Sequence, residues 1–423
     1  MSSQRHNCDA LIIGGGPAGL AAAHTAAQDG QRVTVVDDNP APGGQVWRGE
    51  HKAGAPEAAE WFRKIADAGV EFIAGAHIFA QPATNLLMAE TADGVIELGY
   101  RKLILATGAR ECFLPFPGWT LPNVMGAGGL QALVKSGLPI DGKKVVVAGS
   151  GPLLLAVAAY LRKRGADILL IAEQASRGRL LQFGLGLFSD REKAFQAIGL
   201  RRQLAGVPYL TGCWPVAAQG IDKLSRITMR RGRKTWTVGC DYLACGFHLL
   251  PNVELAALLG CEIEDGGVLV DDYQKTSVAD VYCAGEATGI GGLELALIEG
   301  RIAGYAATDK QKEAEKLFDA RRKARRFASL LNRAFALRDE LKALPQPDTI
   351  VCRCEDVTFG QLQAYRSWRE AKLQARCGMG PCQGRICGAA VEFLFGWQAQ
   401  SVRPPVFPVR LECLAQATAR QEL

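Results

Sequence analysis

The chain has 423 residues, too many for one ordinary hydrophobic core, so two or three domains are expected. Apolar residues make up 48% and charged residues 22%, which excludes a disordered chain. The net charge of +6 is spread along the sequence without an aromatic-interleaved basic stripe, which excludes a nucleic-acid surface.

No apolar run reaches the length of a membrane span. A strand begins within about ten residues of the N-terminus, which leaves no room for a signal peptide. Without a secretion signal, 13 cysteines imply reduced thiols or a metal site rather than a disulfide framework. The cytosol is the expected location, with peripheral attachment to the inner face of the membrane left open.

Ala10–Ile13 reads as a buried parallel strand, followed by Gly14, Gly16 and Gly19 in G-x-G-x-x-G spacing, with Pro17 and Ala18 between the last two, and then an Ala-rich helix. In such a fingerprint the glycines allow a tight turn, the approach of a pyrophosphate and close helix–strand packing. The free N–H groups of the helix N-terminus face the phosphate. Val33–Val36 is a second strand, ending at Asp37 and Asp38, where a carboxylate meets the adenosine ribose. Together these features predict a dinucleotide site. Pro42-Gly43-Gly44-Gln45 reads by composition as a loop. Residues 55–69 read as a helix with Trp61, Phe62 and Ile65 on its apolar face. Strands are expected at Val70–Ile73, Leu86–Ala89 and Val95–Leu98, the last two paired across Asp93-Gly94.

Leu103–Ala109 is an apolar strand that breaks at Thr107-Gly108. Residues 113–129 are rich in apolar, Gly and Pro positions and suit a partner interface or an interdomain loop. A second nucleotide unit repeats the first: strand Lys144–Ala148, then Gly149-Ser150-Gly151-Pro152, a helix through Arg162, and strand Ile168–Ile171 ending near Glu173. Leu154 replaces its third glycine and narrows the phosphate approach, so NAD, an adenine nucleotide or no ligand all remain open. Arg177 and Arg179 suit a 2′-phosphate or plain solvation. Residues 308–344 read as amphipathic helix, with Arg321-Arg322-Lys323 on a solvated face, and Pro345 and Pro347 mark a boundary. Beyond it, Cys352 and Cys354 lie two apart and Cys382 and Cys387 five apart, as a [2Fe–2S] cluster or a structural zinc requires. Cys377 is a fifth cysteine.

Several of these phrases resemble known families. Ala106-Thr107-Gly108, and the strand leading to Gly285-Glu286, resemble motifs of the two-dinucleotide flavoproteins that include the disulfide reductases. The resemblance implies FAD, held by the first fingerprint, by Gly44 and Gln45, by Ala106–Gly108, and by Glu286 in place of that family's Asp at the ribityl chain. The redox C-x-x-C of those reductases is absent from the sequence. The cysteine phrases resemble the ferredoxin-like domain similar to bacterioferritin-associated ferredoxin, which implies Cys352, Cys354, Cys382 and Cys387 as cluster ligands and leaves Cys377 as packing.

Nearly the whole chain resembles the α subunits of heteromeric amino-acid dehydrogenases of the D-hydroxyproline dehydrogenase, opine dehydrogenase and hydrogen cyanide synthase type. These imply an FAD-containing β subunit similar to amino-acid oxidases, a small [2Fe–2S] γ subunit, and FMN at a subunit interface. The expected fold is α/β. An FAD domain comprises residues 1–125 and 240–307, a second Rossmann-like domain 126–239, a helical linker 308–344, and a small helical [2Fe–2S] domain 345–423. No catalytic residue is assigned.

Overall fold

The computed structural model describes residues 5–28, 30–49, 56–187, 191–398 and 402–421. The chain divides into two units, one of residues 1–110, 250–328 and 400–423, the other of residues 111–249 and 329–399.

The first unit is built on a seven-stranded sheet. β1 (Arg5–Ile13) lies between β2 (Val33–Asp37) and β6 (Gly94–Leu105), parallel to both, and β3 (Glu71–Ala74) extends the β2 side. Leu11 and Ile12 point to opposite faces and are both fully buried, as a parallel sheet covered on both sides demands. α1 (Pro17–Ala26), α2 (Pro56–Asp67) and α7 (Leu293–Ala307) contribute to its core. Residue 55, read as helical, lies outside the described residues.

Two strand expectations change. Val95–Leu98 and Leu103–Leu105 belong to one twelve-residue strand, β6. Its first half pairs antiparallel with β5 (Leu86–Thr91) and its second half parallel with β1. β4 (His77–Ala83), missed in the sequence, is the edge strand beside β5. Gln81 and Pro82 interrupt its apolar alternation, and an edge is where a sheet tolerates proline.

The second unit carries a five-stranded sheet in the order β11 (Tyr209–Thr211), β10 (Asp167–Glu173), β9 (Lys144–Gly149), β15 (Tyr242–Gly246), β8 (Val124–Met125), parallel throughout. α3 (Ala127–Lys135) and α4 (Leu153–Lys163) pack on it. A separate antiparallel sheet holds β12 (Cys213–Gly220), β13 (Leu224–Arg231) and β14 (Lys234–Gly239). α5 (Arg177–Leu187) and α6 (Arg191–Gln203) follow β10.

The boundaries fall at 110/111 and 249/250 rather than at 125/126 and 239/240, because β8 and β15 are strands of the second sheet. Residues 113–129 are part of the second unit and are mostly buried or half-buried. Leu114, Phe116 and Trp119 are buried, and Trp119 Nε1 donates to the Ile350 carbonyl at 2.6 Å. The expected linker is divided at 328/329.

Its helix α8 (Phe318–Ala334) does not present Arg321 to solvent. That side chain is 3% exposed, with its guanidinium on Asp272 and over the Phe318 ring. A long Arg buries its stem readily once its head is matched. The C-terminal region also splits. α11 (Leu411–Gln421) inserts Cys413 and Ala417 against Phe79, Met88 and Val95 of the first unit, and Val406 N donates to the Phe79 carbonyl at 2.9 Å. The cysteine-bearing fold is therefore confined to residues up to 399. It contains hairpin β18 (Ile350–Cys352) and β19 (Val357–Thr358), and helices α9 (Trp368–Ala375) and α10 (Cys387–Phe395). No described helix is long and apolar enough to cross a membrane.

Candidate flavin and thiol sites

The first fingerprint turns from β1 into α1. A Cβ at Gly19 would lie 1.8 Å from the Gly14 carbonyl oxygen, so only glycine lets α1 start this close to β1. α1 begins at Pro17, with Gly16 as its uncapped N-cap. Its first N–H groups have no side-chain partner there, which suits an anion. Asp37, buried at the end of β2, accepts from Asn39 N and Nδ2, both at 2.7 Å, and from Gly15 N. Asp38 is exposed and accepts from Asn39 Nδ2 at 2.7 Å. Gly44 lies against Gly16: a Cβ on Gly44 would be 2.9 Å from the Gly16 Cα. The 42–45 segment is thus folded onto the fingerprint rather than standing away as a free loop, and Gln45 continues the same turn.

At the other end of the site, Thr107 and Asn252 lock each other. Thr107 Oγ1 donates to the Asn252 carbonyl at 2.6 Å, and Asn252 Nδ2 donates to the Thr107 carbonyl at 2.9 Å, which fixes the turn from Ala106 to Gly108. β17 (Val281–Cys283) runs beside β6 and delivers Gly285 and Glu286 to this edge. Glu286 Oε1 accepts from Gly292 N at 2.7 Å, while its buried Oε2 has no partner among the described residues. Burial pushes the Glu286 carboxyl up.

In the second unit, Cys352, Cys377 and Cys387 bring their sulfurs within 4.8 Å of one another, all three buried. Cys387 and Cys354 both act on the Cys382 thiol, so Cys354 and Cys382 border this buried triad without belonging to it. Cys377 stands inside that triad instead of packing elsewhere. Contacts from Cys377 and Cys387 hold the Cys352 thiol far down, and contact with Cys387 lowers Cys382. Gly378 N also donates to Cys352 Sγ at 3.4 Å. A Cβ on Gly380 would lie 2.2 Å from the Cys354 Cβ, so that glycine makes room for the thiol. Sulfur donors in this number suit iron or zinc.

Residues 8–304 match the family model for pyridine nucleotide-disulphide oxidoreductases. The chain belongs to that family. It is 32% identical to the HcnB subunit of hydrogen cyanide synthase from Pseudomonas aeruginosa over 90% of this chain and 91% of that subunit. It is 30% identical to an opine oxidase subunit of Agrobacterium tumefaciens, over 96% of this chain and 91% of that protein. Among solved structures it resembles L-proline dehydrogenase from P. horikoshii, with a TM-score of 0.72 at 19% identity over 98% of this chain and 80% of that one. Lactococcus lactis thioredoxin reductase matches with a TM-score of 0.54 at 20% identity over 72% of this chain and 99% of that one.

A pyridine nucleotide-disulphide oxidoreductase of this kind is an FAD-dependent oxidoreductase, and the first unit fits the flavin cofactor. The unpartnered, buried Glu286 Oε2 is an acceptor that lacks only a hydroxyl donor. Arg48 adds a second orphaned polar atom, at a residue that the sequence reading missed. Its Nη2 donates to Asn39 Oδ1 at 2.6 Å, while its buried Nε has no partner among the described residues. The available signal was a basic residue four positions after Gly44. Glu299 was missed as well: it is 1% exposed, and its Oε2 accepts from Gly285 N at 3.1 Å. An acid within the apolar stretch Leu295–Ala303 was its only mark.

The second fingerprint differs in geometry. Leu154 is buried in the core of its unit, where the first unit has Gly19. Glu173 is fully buried and accepts from Gly151 N and Ala175 N, both at 2.8 Å. Burial pushes its carboxyl up to about 7. Arg179, offered as a 2′-phosphate partner, donates instead to the Ala336 carbonyl at 2.9 Å, and Arg177 is exposed.

Proposed function

We propose that this chain is the electron-transferring α subunit of a heteromeric dehydrogenase that oxidises a C–N bond of an imino or amino acid, with D-hydroxyproline or an opine favoured. FAD lies on Gly14, Gly16, Pro17, Ala18 and Gly19 at its pyrophosphate and on Asp37 and Asp38 at its adenosine ribose. Gly44, Gln45, Ala106, Thr107 and Gly108 line it, and Gly285 and Glu286 meet its ribityl chain. Cys352, Cys354, Cys382 and Cys387 hold a [2Fe–2S] cluster. A flavin takes an electron pair and can release it singly, and the cluster carries one electron at a time.

This chain's own residues do the positioning. Glu286 offers an acceptor fixed by Gly292, Glu299 holds the Gly285 amide, and the Gly378 N–H donates to the Cys352 sulfur, which favours its thiolate. Substrate oxidation belongs to an FAD-containing β subunit similar to amino-acid oxidases, with a small [2Fe–2S] γ subunit and an interfacial FMN completing the assembly. Support comes from relatives that are themselves subunits, of hydrogen cyanide synthase and of opine oxidase. The observation that carries the reading is the presence in one chain of a flavin site with an unpartnered buried acceptor and a buried three-sulfur group bordered by Cys354 and Cys382. The likeness to the HcnB subunit of hydrogen cyanide synthase makes glycine the second candidate substrate.

The test is an anaerobic visible-spectrum titration of the FAD- and iron-loaded chain with NADH, NADPH, D-hydroxyproline and opines, alone and with the β subunit. Bands that bleach with substrate only when the β subunit is added support a relay. Bleaching by a nicotinamide alone would replace it with a stand-alone reductase, and bleaching by substrate alone would place a catalytic site in this chain.

A further inference from the structure

In an open α/β sheet, the ligand crevice lies beyond the carboxyl ends of the strands, next to the first glycine-rich turn. In the first unit, the position after the first glycine faces the adenosine side: a Cβ on Gly15 would meet Asp37 Oδ2 at 3.0 Å and the Phe72 ring at 2.8 Å. The equivalent position in the second unit is Ser150, which follows Gly149 at the end of β9. Its hydroxyl donates to the carbonyl of Phe335 at 2.8 Å.

Gln174, fully buried beside Glu173, gives its Nε2 protons to Ser150 Oγ at 2.8 Å and to the carbonyls of Phe335 and Ala336 at 3.2 and 3.3 Å. Arg179 clamps the Ala336 carbonyl from α5. The Phe335 ring meets Phe183 edge-on at 5.3 Å and packs with Ala175, Leu180 and Leu331. Side-chain donors that line this crevice are thus spent on backbone carbonyls of the connector after α8. Glu173 takes the Gly151 fingerprint amide and the Ala175 amide, as Asp37 takes those of Gly15 and Asn39 in the first unit, so the two sites differ at Ser150 and Gln174 rather than at the acid.

We propose that the second dinucleotide fold is a receptacle for the chain's own connector, residues 335–336. This segment, rather than a nicotinamide nucleotide, is its resident ligand, and it anchors the cysteine-bearing segment to the second sheet. A polar crevice built for phosphates and ribose hydroxyls accepts carbonyl oxygens equally well, since both are hydrogen-bond acceptors. The Leu154 substitution, which a bound dinucleotide resists, is harmless once a peptide fills the site. The proposal extends the relay reading but does not depend on it, because its readouts are binding and amide exchange rather than turnover.

The test uses the FAD-loaded full chain. Equilibrium dialysis with NADH and NADPH should find no saturable binding up to about 1 mM, the upper end of ordinary substrate affinities. Hydrogen exchange should show the amides of 149–153, 173–183 and 331–336 protected without added nucleotide. In Phe335→Ala, and separately in the milder Gln174→Leu, all three segments should exchange faster together, by about tenfold or more, while β1 and α1 stay unchanged. Saturable NADH binding to the wild-type chain would overturn the proposal. So would a folded variant in which only 331–336 speeds up. NADH that binds without bleaching the flavin defeats this inference alone, whereas NADH that bleaches the flavin defeats the relay reading too.

Discussion

Arg325 of α8 reaches the buried carboxylate of Glu299 on α7, with Nη2 2.9 Å from Oε1, while Oε2 of the same carboxylate takes the Gly285 amide at 3.1 Å and Thr288 Oγ1 at 3.0 Å. One side chain thus ties a helix outside the Rossmann core to the loop that delivers Glu286. Removing the arginine leaves a buried charge with hydrogen bonds but no counter-ion. The guanidinium is partly exposed, so solvent recovers part of the loss. Arg325→Ala should cost about 2 kcal/mol and lower the FAD retained after gel filtration. Unchanged melting temperature and FAD content would show the pair to be incidental.

Helix α7 lies against α1 through Gly300, where an added Cβ would sit 2.1 Å from the Ala18 carbonyl oxygen. Backbone cannot yield as a flexible side chain does, so Gly300→Ala must push α7 away and carry the Glu286 loop with it. A loss of about 1–3 kcal/mol is expected in urea unfolding, together with weaker FAD binding. A midpoint equal to wild type would mean that the two helices separate without cost.

What the sequence made legible was local. Gly14, Gly16, Gly19 and Asp37 announce their site through a strand–turn–helix pattern within one short stretch, and the cysteines announce theirs through paired spacing. What it hid was tertiary. Arg321 and Arg322 are neighbours in sequence, yet Asp272, some fifty residues earlier, buries only the first. Cys377 lies as far before Cys382 as Cys387 lies after it, so spacing alone did not reveal that its neighbours in space are Cys352 and Cys387. The 113–129 stretch gave no sign that Trp119 would be buried with its indole N–H on the Ile350 carbonyl, more than two hundred residues later. The likeness to known families supplied the ligand set and the cofactor, which periodicity alone leaves open.

Glu173 gives a pH signature. Its carboxyl, raised from the ordinary 4.5 to about 7 by burial, binds its proton more tightly folded than unfolded. Its contribution is therefore fully present below about 4.5 and is lost as pH rises through about 7, a total of about 3 kcal/mol. Glu173→Gln does not titrate, and its amide must face one of the two backbone N–H groups that the carboxylate now accepts. The variant should be less stable than wild type at pH 5, and the gap should narrow by pH 8. A gap that widens over this range would reverse the sign and discard the assignment.

Cys352, Cys354, Cys377, Cys382 and Cys387 offer one sulfur more than a [2Fe–2S] cluster uses, so substitution can identify the spare. Cys352 and Cys387 are buried and belong to either candidate set. The choice lies between Cys354, exposed but linked through Cys382, and Cys377, buried against Cys352 and Cys387. A ligand set of Cys352, Cys354, Cys382 and Cys387 makes Cys377 a neighbour whose thiol only hydrogen-bonds a ligand sulfur. Cys377→Ser should then keep the full iron content and the visible bands and shift only the reduction potential, because a hydroxyl hydrogen-bonds sulfur differently from a thiol. Cys354→Ser and Cys382→Ser should lose the cluster bands while keeping FAD, since the flavin residues lie in the other unit. Iron analysis and visible spectra of the three variants decide the matter. Loss of iron in Cys377→Ser with retention in Cys354→Ser would exchange the two roles and make the buried triad the core of the site.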